Sequence, residues 1–459
     1  MNIRTWLQGL SARGKAQPVP MSEELKSYFL TGVDVWKSVY GGGGDWRYAR
    51  KGGLNGGYRR VKSLGAAKAL CSELSALCFS QQMELKVPDQ KAQSFVEQTL
   101  QQNNFWQCFP LFLEKVFALG SGVVKIYPEN GRVKLDYVQA DAFIPTQYDE
   151  KGVYGGVAVS LCCDGSDRYL LAERHEKTSG GYRITNTLYK KRSGGDFKEV
   201  PLAELFPDLQ EQTDIDGLTK PLFVYFRPAV AGDDMLGVSV FAGAIDTLEA
   251  LDTVFDSLER EFVLGKKRII VPTSALKGEY GSDGKLHKYF DTEDEVFQAF
   301  SADDKEELKI IDNSGELRVD EHIAALEQLL DLLCMQTGLS AGSLSYHSTT
   351  AKTATEVISR NDKTHRTKTA HQQLIREGLI DMVKNILLLG ALEGEISPEL
   401  AKAEPTVVFS DSVSRDNASK IDNALKLLDA GVIDKNRALG EIYGLSDAEA
   451  AQEQETMEV

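Results

Sequence analysis

The sequence predicts an α+β chain that is mostly helical and is divided into several segments. Apolar residues recur at helical spacing over three unusually long stretches, 239–264, 320–338 and 354–389. Between residues 122 and 192 the pattern changes to short alternating segments separated by turn residues, which is typical of antiparallel hairpins. With 459 residues, the chain is long enough for two to four domains with sizeable hydrophobic cores.

The composition is that of an ordinary folded protein, with 42% hydrophobic and 26% charged residues. A formal net charge of −16 disfavours the usual basic nucleic-acid binder, which holds phosphates with Lys and Arg. The six cysteines show neither a CxxC pair nor a histidine at zinc-ligand spacing, so we expect reduced thiols, no metal and no cofactor. We find no signal-peptide core and no apolar stretch of membrane-spanning length, so we expect synthesis in the cytoplasm and no membrane partner.

Residues 1–62 are predicted to form a basic, loop-rich N-terminal arm. This arm carries 11 Lys+Arg against 4 Asp+Glu and contains glycine runs at 41–44, 52–53 and 56–57. Because no Gly-Lys-Ser/Thr follows these glycines, a flexible connector is favoured over a nucleotide-binding loop.

The next segment, 63–238, is predicted to combine helices with antiparallel strands. Helices are indicated at 64–79, at about 90–103 and at about 105–119, and the hairpins follow from residue 122.

The predicted helix 239–264 is about 39 Å long at 1.5 Å per residue. Acidic residues on another side of it are spaced by three or four, which predicts one stripe of carboxylates. For an isolated helix, a solvated face would be the ordinary interpretation. The members of this acidic stripe are Asp246, Glu249, Asp252, Asp256 and Glu259.

A compact insert, 266–319, separates this helix from the next. It is predicted to contain a strand at 268–271 and a loop at 278–284, followed by an acid-rich stretch. Asp320 can cap the second helix, which runs to residue 338. The window 279–331 holds 16 Asp+Glu against 5 Lys+Arg, so much of the negative charge is concentrated here.

Residues 339–352 form a small, hydroxyl-rich loop, after which Thr353 and Glu356 make a capping box for the helix 354–389. The first half of this helix is basic and its second half carries an apolar stripe. The C-terminal segment, 412–459, is predicted to hold two short helices that end at glycines.

One catalytic motif occurs in the sequence, GxSxG at 338–342, which in serine hydrolases holds the nucleophile between a strand and a helix. Here a predicted helix precedes Ser340 and a polar loop follows it, so a hydrolase is disfavoured. His347, His365 and His371 are not at metal-binding spacing. We therefore expect no catalytic residues.

Taken together, the order of these parts resembles the portal protein (head-to-tail connector) family of long-tailed bacteriophages. The similarity covers nearly the whole chain from about Ser22. Its carriers are Gly237-Val238-Ser239, Val271-Pro272, Leu276-Lys277-Gly278, Gln336-Thr337-Gly338-Leu339-Ser340, Lys352-Thr353-Ala354-Thr355-Glu356-Val357, Ala430-Gly431-Val432-Ile433-Asp434 and Tyr443-Gly444-Leu445-Ser446.

The resemblance implies a ring, usually of twelve subunits, at one vertex of the virion capsid. Its axial channel would pass double-stranded DNA, without reading its sequence, during packaging and ejection. The implied partners are the terminase large subunit, the major capsid and scaffolding proteins, and a head–tail adaptor, with assembly in the host cytoplasm. No enzymatic activity is implied, and no Walker sequence for an ATPase is present.

The resemblance also implies a portal-type fold and a role for each segment. An acidic channel wall would repel DNA phosphates and prevent the duplex from stalling. The implied segments are wing 63–238, first stem helix 239–265, clip 266–319, second stem helix 320–338, tunnel loop 339–352, wing helix with its return 353–411, and a short crown, 412–459. The implied DNA-facing residues of the tunnel loop are Ser343, Ser345, Tyr346, His347, Ser348 and Lys352.

Two other classes stay open at this point. One is a cytosolic hydrolase that uses Ser340, and the other is a scaffolding or adaptor protein without a channel. The charge distribution is compatible with the channel. A net charge of −16 excludes a protein that binds DNA tightly, but it is compatible with one through which DNA slides.

Overall fold

The structure is a computed structural model of the chain. The residues that it describes are 22–50, 57–79, 83–191, 197–230, 235–264, 269–270, 277–280, 284, 286–289, 311–312, 316–345, 354–409, 424–428 and 433–434.

Helices dominate both ends of the described chain. A π-helical segment, Tyr28–Val33, joins the first two α-helices. The helices are α1 Glu23–Ser27, α2 Asp34–Tyr40, α3 Ala66–Cys78, α4 Gln90–Gln102, α5 Phe105–Leu119, α6 Ile245–Leu264, α7 Val319–Thr337 and α8 Ala354–Leu392.

Most of the strands lie between α5 and α6. The strands are β1 Tyr48–Arg50, β2 Tyr58–Arg60, β3 Met83–Lys86, β4 Gly122–Glu129, β5 Arg132–Gln139, β6 Phe143–Asp149, β7 Gly152–Asp164, β8 Asp167–Lys177, β9 Gly181–Lys191, β10 Phe197–Val200, β11 Gln212–Asp216, β12 Phe223–Phe226, β13 Ile269–Ile270, β14 Lys277–Tyr280, β15 Leu286–Tyr289, β16 Ile311–Asp312 and β17 Thr406–Phe409.

All of the described strand pairs are antiparallel. The largest sheet has the order β10-β9-β8-β7-β6, and β11 also pairs with β9. A three-stranded sheet has the order β12-β4-β5. The two-stranded pairs are β1–β2, β3–β17, β13–β16 and β14–β15.

A buried charged cluster joins the two larger sheets. Lys125 of β4 lies 2.9 Å from Glu173 of β8, whose other oxygen is 2.6 Å from the His175 ring. Burial alone would raise the pKa of Glu173, but the hydrogen bond from His175 and the charge of Lys125 together lower it to about 2. The half-buried carboxylate of Glu173 is therefore held in its charged form by partners from both sheets.

The main core is built around the second half of α8. Its apolar stripe, which includes Leu379, Val383 and Leu387, is fully buried. These residues face α3, α4 and strands of the three-stranded sheet. The spacing by four places this stripe on one side of the helix. The predicted helix, 354–389, is thus confirmed and extends to Leu392.

The predicted α+β class is confirmed, since 48% of the described residues are helical and 28% lie in strands. The N-terminal arm differs from the loop-rich segment that was predicted, since Glu23–Tyr40 is helical. Leu25, Phe29, Val33 and Trp36 are buried in the main core. These apolar residues recur at helical spacing, and their burial stabilises a helix here although the arm as a whole is basic and rich in glycine.

Two predicted segments are described only in part. Within the clip, 266–319, the described residues form the pairs β13–β16 and β14–β15. Within the crown, 412–459, residues 424–428 are helical and 433–434 are also described, while the rest lies outside the described residues.

A substitution in α8 tests the packing of this helix. A Cβ atom at Gly378 would lie 2.4 Å from Cε1 of Phe226, which is buried. We expect Gly378→Ala to lower the free energy of unfolding, because overpacking costs about 1–3 kcal/mol and exceeds a gain in helix propensity of about 1 kcal/mol. The measurement is the urea midpoint of unfolding, followed by circular dichroism.

Gly243→Ala is the matched control, because nothing lies within 4 Å of a Cβ atom there. A Gly378→Ala variant as stable as this control would show that α8 does not pack as described.

Candidate functional site

Helices α6 and α7, the two predicted stem helices, run antiparallel and are joined along their length. Thr247 donates a 2.8 Å hydrogen bond to Gln336 at one end of the pair. At the other end, Arg318 donates hydrogen bonds of 3.1 and 3.0 Å to the two oxygens of Glu261. This bidentate contact lowers the pKa of Glu261. Ser257 and His322 make a further contact of 3.1 Å between these ends.

Asp252 of α6 is buried and accepts hydrogen bonds from the N-terminal part of the chain. The Trp46 indole donates at 3.0 Å to one oxygen, and the backbone amide of Leu64 donates at 2.9 Å to the other. The guanidinium of Arg47, also buried, lies 3.9 Å away. One carboxylate therefore connects α6 to the entry of α3 and to the segment before β1.

Asp256, one turn further along α6, is held in the same way. Arg59 donates hydrogen bonds of 2.6 and 2.7 Å to its two oxygens, and the amide of Lys62 donates at 3.0 Å. The Arg59 hydrogen bonds lower the pKa of Asp256, although burial opposes the shift. The carboxylate is charged at neutral pH and makes a bidentate ion pair with Arg59.

These contacts correct the predicted acidic stripe. Asp252 and Asp256 are only 5% exposed and are covered by residues 46–47 and 59–64, so they do not belong to an exposed acidic surface. The other three members, Asp246, Glu249 and Glu259, are exposed. Periodicity identified the carboxylates but could not show that a segment about 200 residues earlier covers two of them.

The start of the predicted tunnel loop is anchored on α8. Gly338 ends α7 with φ of +84°, a conformation that favours glycine, and its carbonyl accepts a 2.6 Å hydrogen bond from Thr367. Ser340 and Thr364 are joined by three hydrogen bonds: amide to hydroxyl at 2.8 Å, hydroxyl to hydroxyl at 3.0 Å and amide to hydroxyl at 3.3 Å. The loop therefore leaves α7 in a fixed direction.

Further contacts hold the following residues of the loop. The amide of Gly342 donates at 2.7 Å to Asp331 of α7, and the hydroxyl of Ser343 donates at 2.7 Å to the Ser340 carbonyl. Ser343 is exposed and Ser345 is half-buried. The other predicted DNA-facing residues, Tyr346, His347, Ser348 and Lys352, lie outside the described residues.

Ser340, the serine of the GxSxG motif, is not positioned as the nucleophile of a hydrolase would be. Helix α7 precedes it, and its hydroxyl is bonded to Thr364. The side chain is 5% exposed. Ser340 thus fixes the loop to α8, which gives this motif a structural role.

The basic first half of α8 is partly buried. Lys368 is 4% exposed, and Lys363 donates a 2.5 Å hydrogen bond to the Met335 carbonyl of α7. His371 is buried against Phe117, and burial lowers its pKa to about 4. Its Nδ1 accepts a hydrogen bond from the Ala229 amide at 2.9 Å, so the neutral imidazole has a structural role.

Neither a metal site nor a membrane span is found within the described ranges. No group of three or more His, Cys, Asp or Glu in them is arranged to hold a metal ion. The helices described there contain no stretch that is both long and apolar enough to cross a bilayer.

Comparison with protein families gives one match that covers most of the chain. Residues 57–458 match the family described as "Phage portal protein, SPP1 Gp6-like". This chain belongs to the phage portal protein family. Portal proteins are structural components rather than enzymes. No curated protein matches this portal-family chain.

Solved structures similar to this portal-family chain come from gene transfer agent (GTA) particles. The chain from "Virion of native gene transfer agent (GTA) particle" is 14% identical, with 96% of this chain and 99% of that chain covered and a TM-score of 0.35. The chain from "Neck of empty GTA particle computed with C6 symmetry" is 14% identical, with 96% of this chain and 99% of that chain covered and a TM-score of 0.37. The chain from "Neck of native GTA particle computed with C12 symmetry" is 12% identical, with 96% of this chain and 98% of that chain covered and a TM-score of 0.36.

The anchor at Asp256 can be tested by substitution. We expect Asp256→Ala to lower the free energy of unfolding at pH 7 by about 2 kcal/mol, the scale of hydrogen bonds to a charged group. Because the folded pKa of Asp256 is lowered, its contribution is complete above the unfolded pKa of about 3.9 and is lost as pH falls through the folded value. The measurement is urea unfolding of wild type and variant at pH 7, 5, 4 and 3.

Glu249→Ala removes an exposed carboxylate from the same helix and serves as the control. A difference between wild type and Asp256→Ala that grows as pH falls would contradict the assigned ion pair.

Proposed function

We propose that this chain is the subunit of a portal ring at one vertex of a tailed-phage capsid. Twelve copies form the ring, and its axial channel passes double-stranded DNA during packaging and ejection. The family match over residues 57–458 carries the proposal. The antiparallel helix pair of α6 and α7, with the loop that joins it to α8, supports the assignment of stem and tunnel loop.

The charges of the stem favour passage of DNA over binding. Asp246 and Glu249 of each copy are exposed, and a ring that turns them to its channel repels phosphates along the path, while Glu259, also exposed, lies 3.5 Å from Lys62 and contributes less. Asp252 and Asp256 add little to this field, because Arg59 and Arg47 lie beside them. The tunnel loop makes the contact with the duplex. Its hydroxyl groups and Lys352 touch the DNA backbone without recognising the bases.

The remaining segments are assigned to partners. The clip, 266–319, docks the terminase large subunit during packaging and the head–tail adaptor afterwards. The wing faces the major capsid and scaffolding proteins and nucleates the procapsid, which assembles in the host cytoplasm. The energy for packaging comes from the separate motor, and the ring itself performs no catalysis.

Removal of the tunnel loop tests the proposed channel. We expect deletion of Gly342 to Thr350 to reduce the amount of DNase-resistant DNA in particles at least tenfold, because the loop makes the contact with the moving duplex. The measurement is the yield of protected DNA from the packaging reaction, with ring assembly of the variant checked by sedimentation.

A milder variant, Tyr346→Ala with His347→Ala and Lys352→Ala, covers the case in which the deletion prevents assembly. Tyr127→Ala with Lys134→Ala, on β4 and β5 of the wing, is the matched control. Normal packaging by both loop variants would refute the role given to the tunnel loop.

A further inference from the structure

The ribbon formed by β1 and β2 presents an exposed face of aromatic and basic residues. Its register pairs Tyr48 with Arg60 and Ala49 with Arg59. Side chains alternate between the two faces of a ribbon, so Tyr48, Tyr58 and Arg60 share one face and Arg59 lies on the other. Tyr48 is 65% and Tyr58 is 69% exposed, and Arg60 is also exposed.

The opposite face of the ribbon is fixed to the stem. Arg59 makes the bidentate ion pair with Asp256, and Trp46, just before β1, bonds to Asp252. The exposed face is therefore presented by a rigidly held element. Tyrosine and arginine are the residues that most often supply binding energy at the centres of protein interfaces.

The ribbon and α7 lie on roughly opposite sides of α6. Thr247 contacts α7 and Asp252 contacts the segment before the ribbon, and these two residues are five apart. Glu261 contacts α7 and Asp256 contacts the ribbon, and they are also five apart. Five residues correspond to about 140° around an α-helix. One copy thus has the layer order ribbon, α6, α7.

One side of α7, here called its outer side, lies about 90° around the helix from the side that contacts α6 and is exposed and partly apolar. Met335 is 58% and Leu332 36% exposed, and these two residues, three apart, share this side. Glu321, eleven residues before Leu332, lies on the same side and is also exposed. This surface offers apolar contacts for tyrosine rings and a carboxylate for an arginine.

We propose that the outer face of the ribbon, with Tyr48, Tyr58 and Arg60, packs on the outer side of α7 of the neighbouring copy. This inference rests on the proposed ring. The two surfaces differ, are complementary in charge and belong to different elements of one subunit, so a contact between them is head-to-tail and can close into a ring. The layers then repeat as ribbon, α6, α7 around the ring.

A second copy is favoured over DNA as the occupant of the ribbon face. The exposed apolar side chains of α7 need a cover that DNA cannot provide, and tyrosine rings supply it. Basic and aromatic residues also bind nucleic acid, so DNA binding is one of the outcomes of the test.

The experiment uses two full-length variants, each with one altered flank. The ribbon variant carries Tyr48→Ser, Tyr58→Ser and Arg60→Glu, and the α7 variant carries Leu332→Ser and Met335→Asp. We expect wild type to sediment as a ring and each variant alone as a monomer. Mixed in equal amounts, the variants are expected to form a one-to-one dimer of about 101 kDa, from chains of 50.6 kDa, and no ring.

The dimer is the decisive result, because each variant retains one intact flank and the mixture can make only one contact. Arg132→Glu, an exposed arginine at the start of β5, is the charge-matched control and is expected to form rings. Circular dichroism melting confirms that the variants are folded.

Three outcomes would overturn the inference. If wild type forms rings and the folded ribbon variant does so too, the contact is wrong and the proposed function stands. If the ribbon variant keeps the ring but loses binding to a short DNA duplex in a filter assay, the ribbon is a DNA surface. If wild type itself forms no ring, both the inference and the proposed function fail.

Discussion

Two carboxylates that the fold buries fix the position of α6. A charged group is costly to remove from water unless hydrogen bonds and opposite charges replace the solvent. Asp252 and Asp256 meet this condition only when Trp46, Arg59 and the backbone at Leu64 lie against α6. Because Leu64 leads directly into α3, the same contacts connect α6 to the helical core.

The C-terminal end of α7, next to the start of α6, is fixed by neutral hydrogen bonds. Thr364 and Thr367 of α8 hold Ser340 and Gly338, so α7 and α8 meet at a defined angle. Buried charge on α6 and hydroxyl groups at the end of α7 thus connect this helix pair to the rest of the chain. Both helices keep exposed surfaces, which a ring-forming subunit requires.

Long helices were the part of the fold that sequence predicted best. The second stem helix was predicted at 320–338 and is Val319–Thr337, since its apolar period is regular. The first was predicted from 239 but begins at Ile245, after a 3₁₀ turn at Ala242–Ala244. The partners of Asp252 could not be found in this way, because a contact across about 200 residues leaves no local pattern. The helical segment Glu23–Tyr40 was not predicted, because the glycines and basic residues of the N-terminal arm indicated a loop. The helical spacing of its four buried apolar residues was overlooked.

The arrangement of α6 explains how the negative charge of the chain is distributed. A net −16 argues against a protein that grips DNA, and the fold places basic residues beside Asp252, Asp256 and Glu259 of α6 while Asp246, Glu249 and Glu259 stay exposed in each copy. The central claim is that copies of this chain enclose a channel. Electron microscopy of the purified full-length protein tests it most directly. The account predicts top views of a ring of twelve subunits with a central opening, whereas compact particles without an opening would contradict it.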